Sequence, residues 1–149
     1  MRLWPGMTLW VWGFLFLAAA GAARAEVVQD QTAAGVGTHA EFLRGDPDRL
    51  AVLILHGFLQ TRDFHTVKSL GAGLHASGFN VLMPTLSLGV DLRESSLPCD
   101  ALHLHDMESG AEEIGTWLQW LGDRGFDDIV AVGHSAGSTR LVHFLDRNP

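Results

Sequence analysis

From Gly133 to Gly137 the chain reads Gly-His-Ser-Ala-Gly, directly after the apolar run Ile129-Val130-Ala131-Val132. A serine hydroxyl is a weak nucleophile at neutral pH, so chemistry at Ser135 needs a backbone that projects the oxygen and a neighbour that takes its proton. A sharp strand-to-helix turn meets the first need. It forces the serine into strained dihedrals, while Gly133 and Gly137 leave room for close backbone packing. His134 adjoins the serine, but adjacent residues at a strand end point in different directions, so it is read as a packing residue. The chemistry this arrangement suits is nucleophilic attack through a covalent intermediate.

Where such an attack develops an oxyanion, a second motif stands in position to stabilise it. The run Leu50-Ala51-Val52-Leu53-Ile54-Leu55 ends at His56-Gly57-Phe58-Leu59. His56-Gly57 lets the backbone turn sharply, so the Phe58 amide can face the same side of a sheet as the Ala136 amide at the start of the following helix. His56 itself is read as a turn and hydrogen-bonding residue.

Other candidates carry less. His103 and His105 form an HxH pair without a third ligand at recognisable spacing, so no metal is expected. Cys99 is the single cysteine; no intramolecular disulfide is possible, and nothing around it looks activating. His143 lies eight residues beyond Ser135, which on a helix of 1.5 Å rise carries its ring about 12 Å along the axis. No general base is therefore assigned within this sequence.

Elements must position these residues. The uninterrupted apolar run at 50–55 fits a strand covered on both faces, as in a parallel sheet, and 129–132 is a second apolar strand. Val81-Leu82-Met83 is a third, and Val27-Val28 and His39 to Leu43 are possible short strands ahead of a turn at Asp46-Pro47-Asp48. A helix to about Ser77 is predicted with Asp63 as cap and Val67, Leu70 and Leu74 as its apolar stripe, weakened by Gly71 and Gly73. A second, about Met107 to Arg124, buries Ile114, Trp117, Leu118 and Leu121, with Asp106 and Glu108 at its positive end. Trp117 and Trp120 read as core and rim. Gly78 before Phe79 and Gly125 before Phe126 both suit left-handed helix ends. Alternation of strand and helix predicts a three-layer α/β/α sandwich with a mostly parallel sheet. The long polar connection from Pro84 to Asp106, holding Asp91, Arg93, Glu94 and Cys99, is read as functional, one wall of a pocket.

On His56-Gly57-Phe58 and Gly133-His134-Ser135-Ala136-Gly137, the segment from about Leu50 to Pro149 resembles the α/β-hydrolase family. The resemblance implies an α/β-hydrolase fold, incomplete at the C-terminus, with the two motifs after its third and fifth strands. It also implies Ser135 as nucleophile, an oxyanion hole from Phe58 and Ala136, and a catalytic acid and histidine that follow the serine later in the chain. No cofactor is implied. The substrate would be a small-molecule or lipid-like carboxylic ester, thioester or amide. Two alternatives stand beside hydrolysis: a catalytically incomplete fragment or non-catalytic binding module of the same fold, and an acyltransferase passing the acyl group to an alcohol.

The first 25 residues differ from the rest. Arg2, an apolar run from Thr8 to Ala20 and Ala23-Arg24-Ala25 make a leader with a small-x-small cleavage site, leaving 26–149 as the folded domain. The apolar run is short for a bilayer span, so export is expected and an uncleaved membrane anchor is the alternative. Cleavage would remove two of the ten basic residues and no acid, taking the net charge from −7 to −9. That balance argues against nucleic acid as a partner.

Overall fold

The computed structural model describes residues 25–102 and 105–149. The expected leader, apart from Ala25, lies outside the described residues, as does His103. In chain order the elements are β1 (Ala25–Gln31), β2 (Gly37–Leu43), β3 (Ala51–Leu55), α1 (His65–Ala76), β4 (Asn80–Thr85), α2 (Met107–Gly122), β5 (Ile129–Gly133) and α3 (Ala136–Arg147). The sheet order is β1-β2-β4-β3-β5. Pairings of β3 with β4 and with β5 are parallel, whereas β1 with β2 and β2 with β4 are antiparallel. The sheet is thus mixed, and its parallel part is the part that carries the two motifs.

Burial on both faces explains the unbroken apolar run of β3. Leu53 and Leu55 pack with Phe42, Leu82, Ile114, Trp117 and Leu121 on the side of α2 and α3. Val52 and Ile54 pack with Val67, Val81 and Met83 on the side of α1. Side chains alternate along a strand, so one five-residue element serves two cores and three layers result. Trp117 is wholly buried and Trp120 nearly so, their rings meeting edge to face at 6.2 Å.

The two Gly-Phe helix ends form as the sequence predicts. Gly78 and Gly125 take φ 89° and 84°, and the Phe79 and Phe126 amides reach back to the Leu74 and Leu121 carbonyls at 3.2 and 3.3 Å. These are the 6→1 bonds of a Schellman ending. Asp106 caps α2 through a reciprocal box with Ser109.

Helix α1 departs from its prediction. Its N-cap is Phe64, with no side-chain cap bond, and Asp63 instead pairs with Lys68 at 3.2 Å. Lys68 also binds Glu41 of β2, so the acid that could have capped the helix is drawn into a charge cluster. Leu70 is exposed, and Val67 and Gly71 are the buried residues. A Cβ at Gly71 would lie 2.4 Å from Met83 Sδ, whereas one at Gly73 would meet nothing. Gly71, read from sequence as a weakness, is the point of close helix-to-strand approach, and that rotates the contact face away from Leu70. Helix α2 ends at Gly122, two residues short of the predicted Arg124.

Candidate active site

The register levels Leu55 with Gly133, so β3 and β5 end side by side and their exit turns meet. The His134 amide extends the pairing by donating to the Leu55 carbonyl at 2.9 Å. Two glycines set how closely the turns approach. A Cβ at Gly137 would stand 2.6 Å from the His56 carbonyl oxygen and 2.8 Å from that of Leu55, and a Cβ at Gly57 would stand 3.2 Å from His134 Nδ1. A Cβ at Gly133 would fall 2.4 Å from the Ser138 amide nitrogen. Only hydrogen fits at Gly133 and Gly137, whose near neighbours are backbone atoms.

Ser135 is exposed with φ 54° and ψ −122°. That region is unfavourable for any residue with a Cβ, and such strain persists only where the surroundings hold it. Here they are β5 on one side and, on the other, the first turn of α3, closed by the Ser138 amide on the Ser135 carbonyl at 2.9 Å. Ala136 opens α3, so its amide belongs to the unpaired, positive end of the helix. His134 packs on Phe64, ring centroids 5.5 Å apart.

On the facing turn, Phe58 is about half exposed and Leu59 takes a left-handed φ of 57°. His56 is fully buried. Its Nδ1 bonds the Gly57 carbonyl at 2.8 Å, and its Nε2 accepts the Leu86 amide at 2.9 Å. These partners require the neutral ring with its proton on Nδ1. Burial pushes its pKa down to about 4, and the nearby Arg93 charge adds to the shift.

Because the folded value lies below the ordinary 6.5, the unfolded chain takes up the proton first. The stability given by the neutral ring is complete above about pH 6.5 and is lost as pH falls toward 4, about 3 kcal/mol in all. Glu113, whose carboxyl burial pushes up, works in the opposite sense, its contribution fading as pH rises through its own raised value. Urea unfolding of the wild type and of His56→Asn at pH 7 and about pH 4.5 separates the two. The gap between the proteins should shrink by about 2 kcal/mol at the lower pH; an unchanged gap would contradict a neutral buried ring.

Two buried charged residues to which sequence reading assigned no role stand near this turn. Arg93 belongs to the connection read as polar, yet it is 3% exposed and donates to the carbonyls of Leu86, Ser95 and Gln60. Burial lowers its pKa to about 10. Glu113 of α2 is equally buried and accepts from Thr38 and from the Ser87 amide and hydroxyl, the latter at 2.8 Å. It lies within electrostatic range of Arg93 and of Arg140 on α3, whose side chain crosses Gly110. Glu113 had a visible signal: it falls on the Gly110, Ile114, Trp117 and Leu121 face, where an apolar residue was due. Arg93 had none.

The remaining expected residues lie elsewhere. His143 faces α2, 3.3 Å from Glu108. Cys99 is exposed in the connection. Among the described residues no group of three His, Cys, Asp or Glu side chains could hold a metal ion, and no helix is long and apolar enough to cross a membrane.

No family model and no curated protein matches the chain. Solved structures do. It is similar to an α/β hydrolase from Novosphingobium aromaticivorans (24% identity, TM-score 0.65, 87% of this chain and 42% of that one). A Pyrococcus furiosus esterase (19%, 0.66, 84% and 47%) and a cold-adapted esterase from an Arctic intertidal metagenomic library (14%, 0.68, 83% and 56%) are also similar. The chain therefore spans about half the length of these structures. With the strand order, the three layers and the meeting of the two turns, these likenesses identify the fold of this chain as that of the α/β hydrolases.

Proposed function

We propose that the chain carries the nucleophile and the oxyanion-binding half of a serine hydrolase. Ser135 Oγ attacks the carbonyl carbon of an ester, thioester or amide, and its proton passes to a histidine base. The carbonyl π electrons move onto oxygen, which the Phe58 and Ala136 amides stabilise. Collapse expels the alcohol, thiol or amine, which takes the proton back from the histidine, and water then releases the acid by the same steps. Among the described residues, His56 and His143 are turned to other partners; the resemblance implies that the base and its orienting acid follow Ser135 later in the polypeptide.

The observation that carries this reading is the strained φ of an exposed serine at the strand-to-helix turn, with glycine-limited contact to the 56–59 turn beside it. The solved structures similar to this chain include two esterases and a thioesterase domain, which favours acyl transfer to water. A fluorophosphonate probe should label the intact polypeptide at Ser135 and stop its hydrolysis of p-nitrophenyl esters. Absence of labelling in an active preparation would remove Ser135 from the mechanism.

We also propose export, with cleavage after Ala25. Glu26 then begins the mature chain inside the outermost strand, at an exposed position. Mass spectrometry of the exported protein should find Glu26 as the first residue; retention of Met1 through Ala25 would favour the anchor.

A further inference from the structure

We propose that Arg93 is a positioning residue for the oxyanion turn, a guanidinium clamp through which the loop after β4 fixes the direction of the Phe58 amide. This rests on the hydrolase reading above and goes beyond it in assigning a role to a residue outside both motifs.

The Gly57 carbonyl and the Phe58 N–H belong to one peptide unit, and no cis bond occurs among the described residues. In a trans unit the C=O and N–H point in opposite directions. Whatever holds the Gly57 oxygen therefore aims the Phe58 hydrogen. Two donors hold it, His56 Nδ1 at 2.8 Å and the Gln60 amide at 3.3 Å.

Arg93 secures both donors. Its Nη2 donates to the Gln60 carbonyl at 2.7 Å and lies 3.4 Å from His56 Nε2. Nε and Nη2 together grip the Leu86 carbonyl at 3.0 and 2.7 Å, and the amide of that same residue donates to His56 Nε2. Nη1 reaches the Ser95 carbonyl at 2.7 Å. Between the secured points sits Leu59 in its left-handed conformation, its carbonyl taken by the Leu97 amide at 3.0 Å. The carbonyl of Arg93 bonds His39 Nε2 at 2.6 Å, which ties the loop to β2.

A cation buried on backbone carbonyls is an expensive way to gain stability alone. Its planar fork meets several carbonyls at fixed angles, which a lysine ammonium cannot. The arrangement suits placement of an amide to within the fraction of an ångström that oxyanion stabilisation needs.

The test uses the intact protein with a p-nitrophenyl ester, comparing wild type, Arg93→Lys, Arg93→Ala and, as a destabilised control, Ile114→Val. We expect kcat to fall about 10- to 100-fold in both Arg93 variants with KM within about twofold. Millimolar guanidinium should partly restore Arg93→Ala where methylammonium does not. Amide hydrogen exchange at Phe58 should quicken in Arg93→Lys while Ile114→Val keeps its kcat. Full kcat in Arg93→Lys, an equal loss in Ile114→Val, or unchanged Phe58 exchange would overturn the clamp. If Arg93→Ala does not fold, Arg93→Lys and the exchange measurement decide. A wild type that the fluorophosphonate labels, beside unimpaired Arg93 variants, defeats the clamp alone; an active wild type that is not labelled defeats the hydrolase reading and the clamp with it.

Discussion

Replacing Ser135 by glycine in the intact protein should abolish ester hydrolysis and fluorophosphonate labelling while making the fold more stable by about 1 kcal/mol. The two effects have separate origins. Removing the nucleophile leaves only binding and oxyanion stabilisation, a loss on the order of 10³-fold or more. The stability gain comes from φ 54°, ψ −122° at this residue, a conformation that glycine adopts at little steric cost and a residue with a Cβ does not. Ser135→Ala keeps the Cβ and should lose activity without that gain. Urea unfolding of the three proteins checks the sign. A glycine variant less stable than wild type would mean that the strain is not real, and one that retained hydrolysis would mean that another residue attacks the substrate.

Gly137→Ala should be nearly as damaging to activity although it removes no reacting group. Its Cβ would press on the His56 and Leu55 carbonyl oxygens at 2.6 and 2.8 Å. Both are backbone atoms at the end of β3, so neither can turn aside as a flexible side chain would. Relief requires α3 to move away from β3, which separates the Ala136 amide from the 56–59 turn. A displacement of about 1 Å at such a site costs about 100-fold in rate, and overpacking adds about 1–3 kcal/mol of destabilisation. Gly122→Ala is the control, because a Cβ there meets nothing within 4 Å; it should leave the rate unchanged and at most stabilise the last turn of α2. Steady-state kinetics at a temperature where both variants are folded make the comparison. Equal rates in the two would show that the approach of the turns is not needed for catalysis.

How much was legible in advance divides along the range of the interactions. The unbroken apolar runs of β3 and β5, the amphipathic face of α2, the Gly-Phe helix ends and the two turn motifs are all specified within a few residues of chain. Periodicity and glycine placement report such features directly. Helix α1 was legible as a helix but not in its rotation. Its buried face is set by Gly71 meeting Met83 of β4, a contact between segments that are neighbours only once folded. Its cap failed for the same reason, since Lys68 draws Asp63 into a cluster with Glu41 of a distant strand.

By itself the sequence determined that a serine would stand at a strand-to-helix turn, that a glycine turn would follow an earlier strand, and that layers of helix would enclose the sheet. Local chemistry decides those matters: which residues tolerate a positive φ, which spacing buries one face, which run can be covered on both sides. Only the tertiary structure decided that the two turns are level and in contact, and that Arg93, in a polar loop, is buried on the carbonyls of Leu86 and Gln60 beside the 56–59 turn. It also decided that Glu113 is held among hydroxyls and amides within range of two buried cations. Those outcomes depend on strand register and on burial of charge between elements far apart in the chain. A buried guanidinium and a solvated one are the same letter until the fold removes the water.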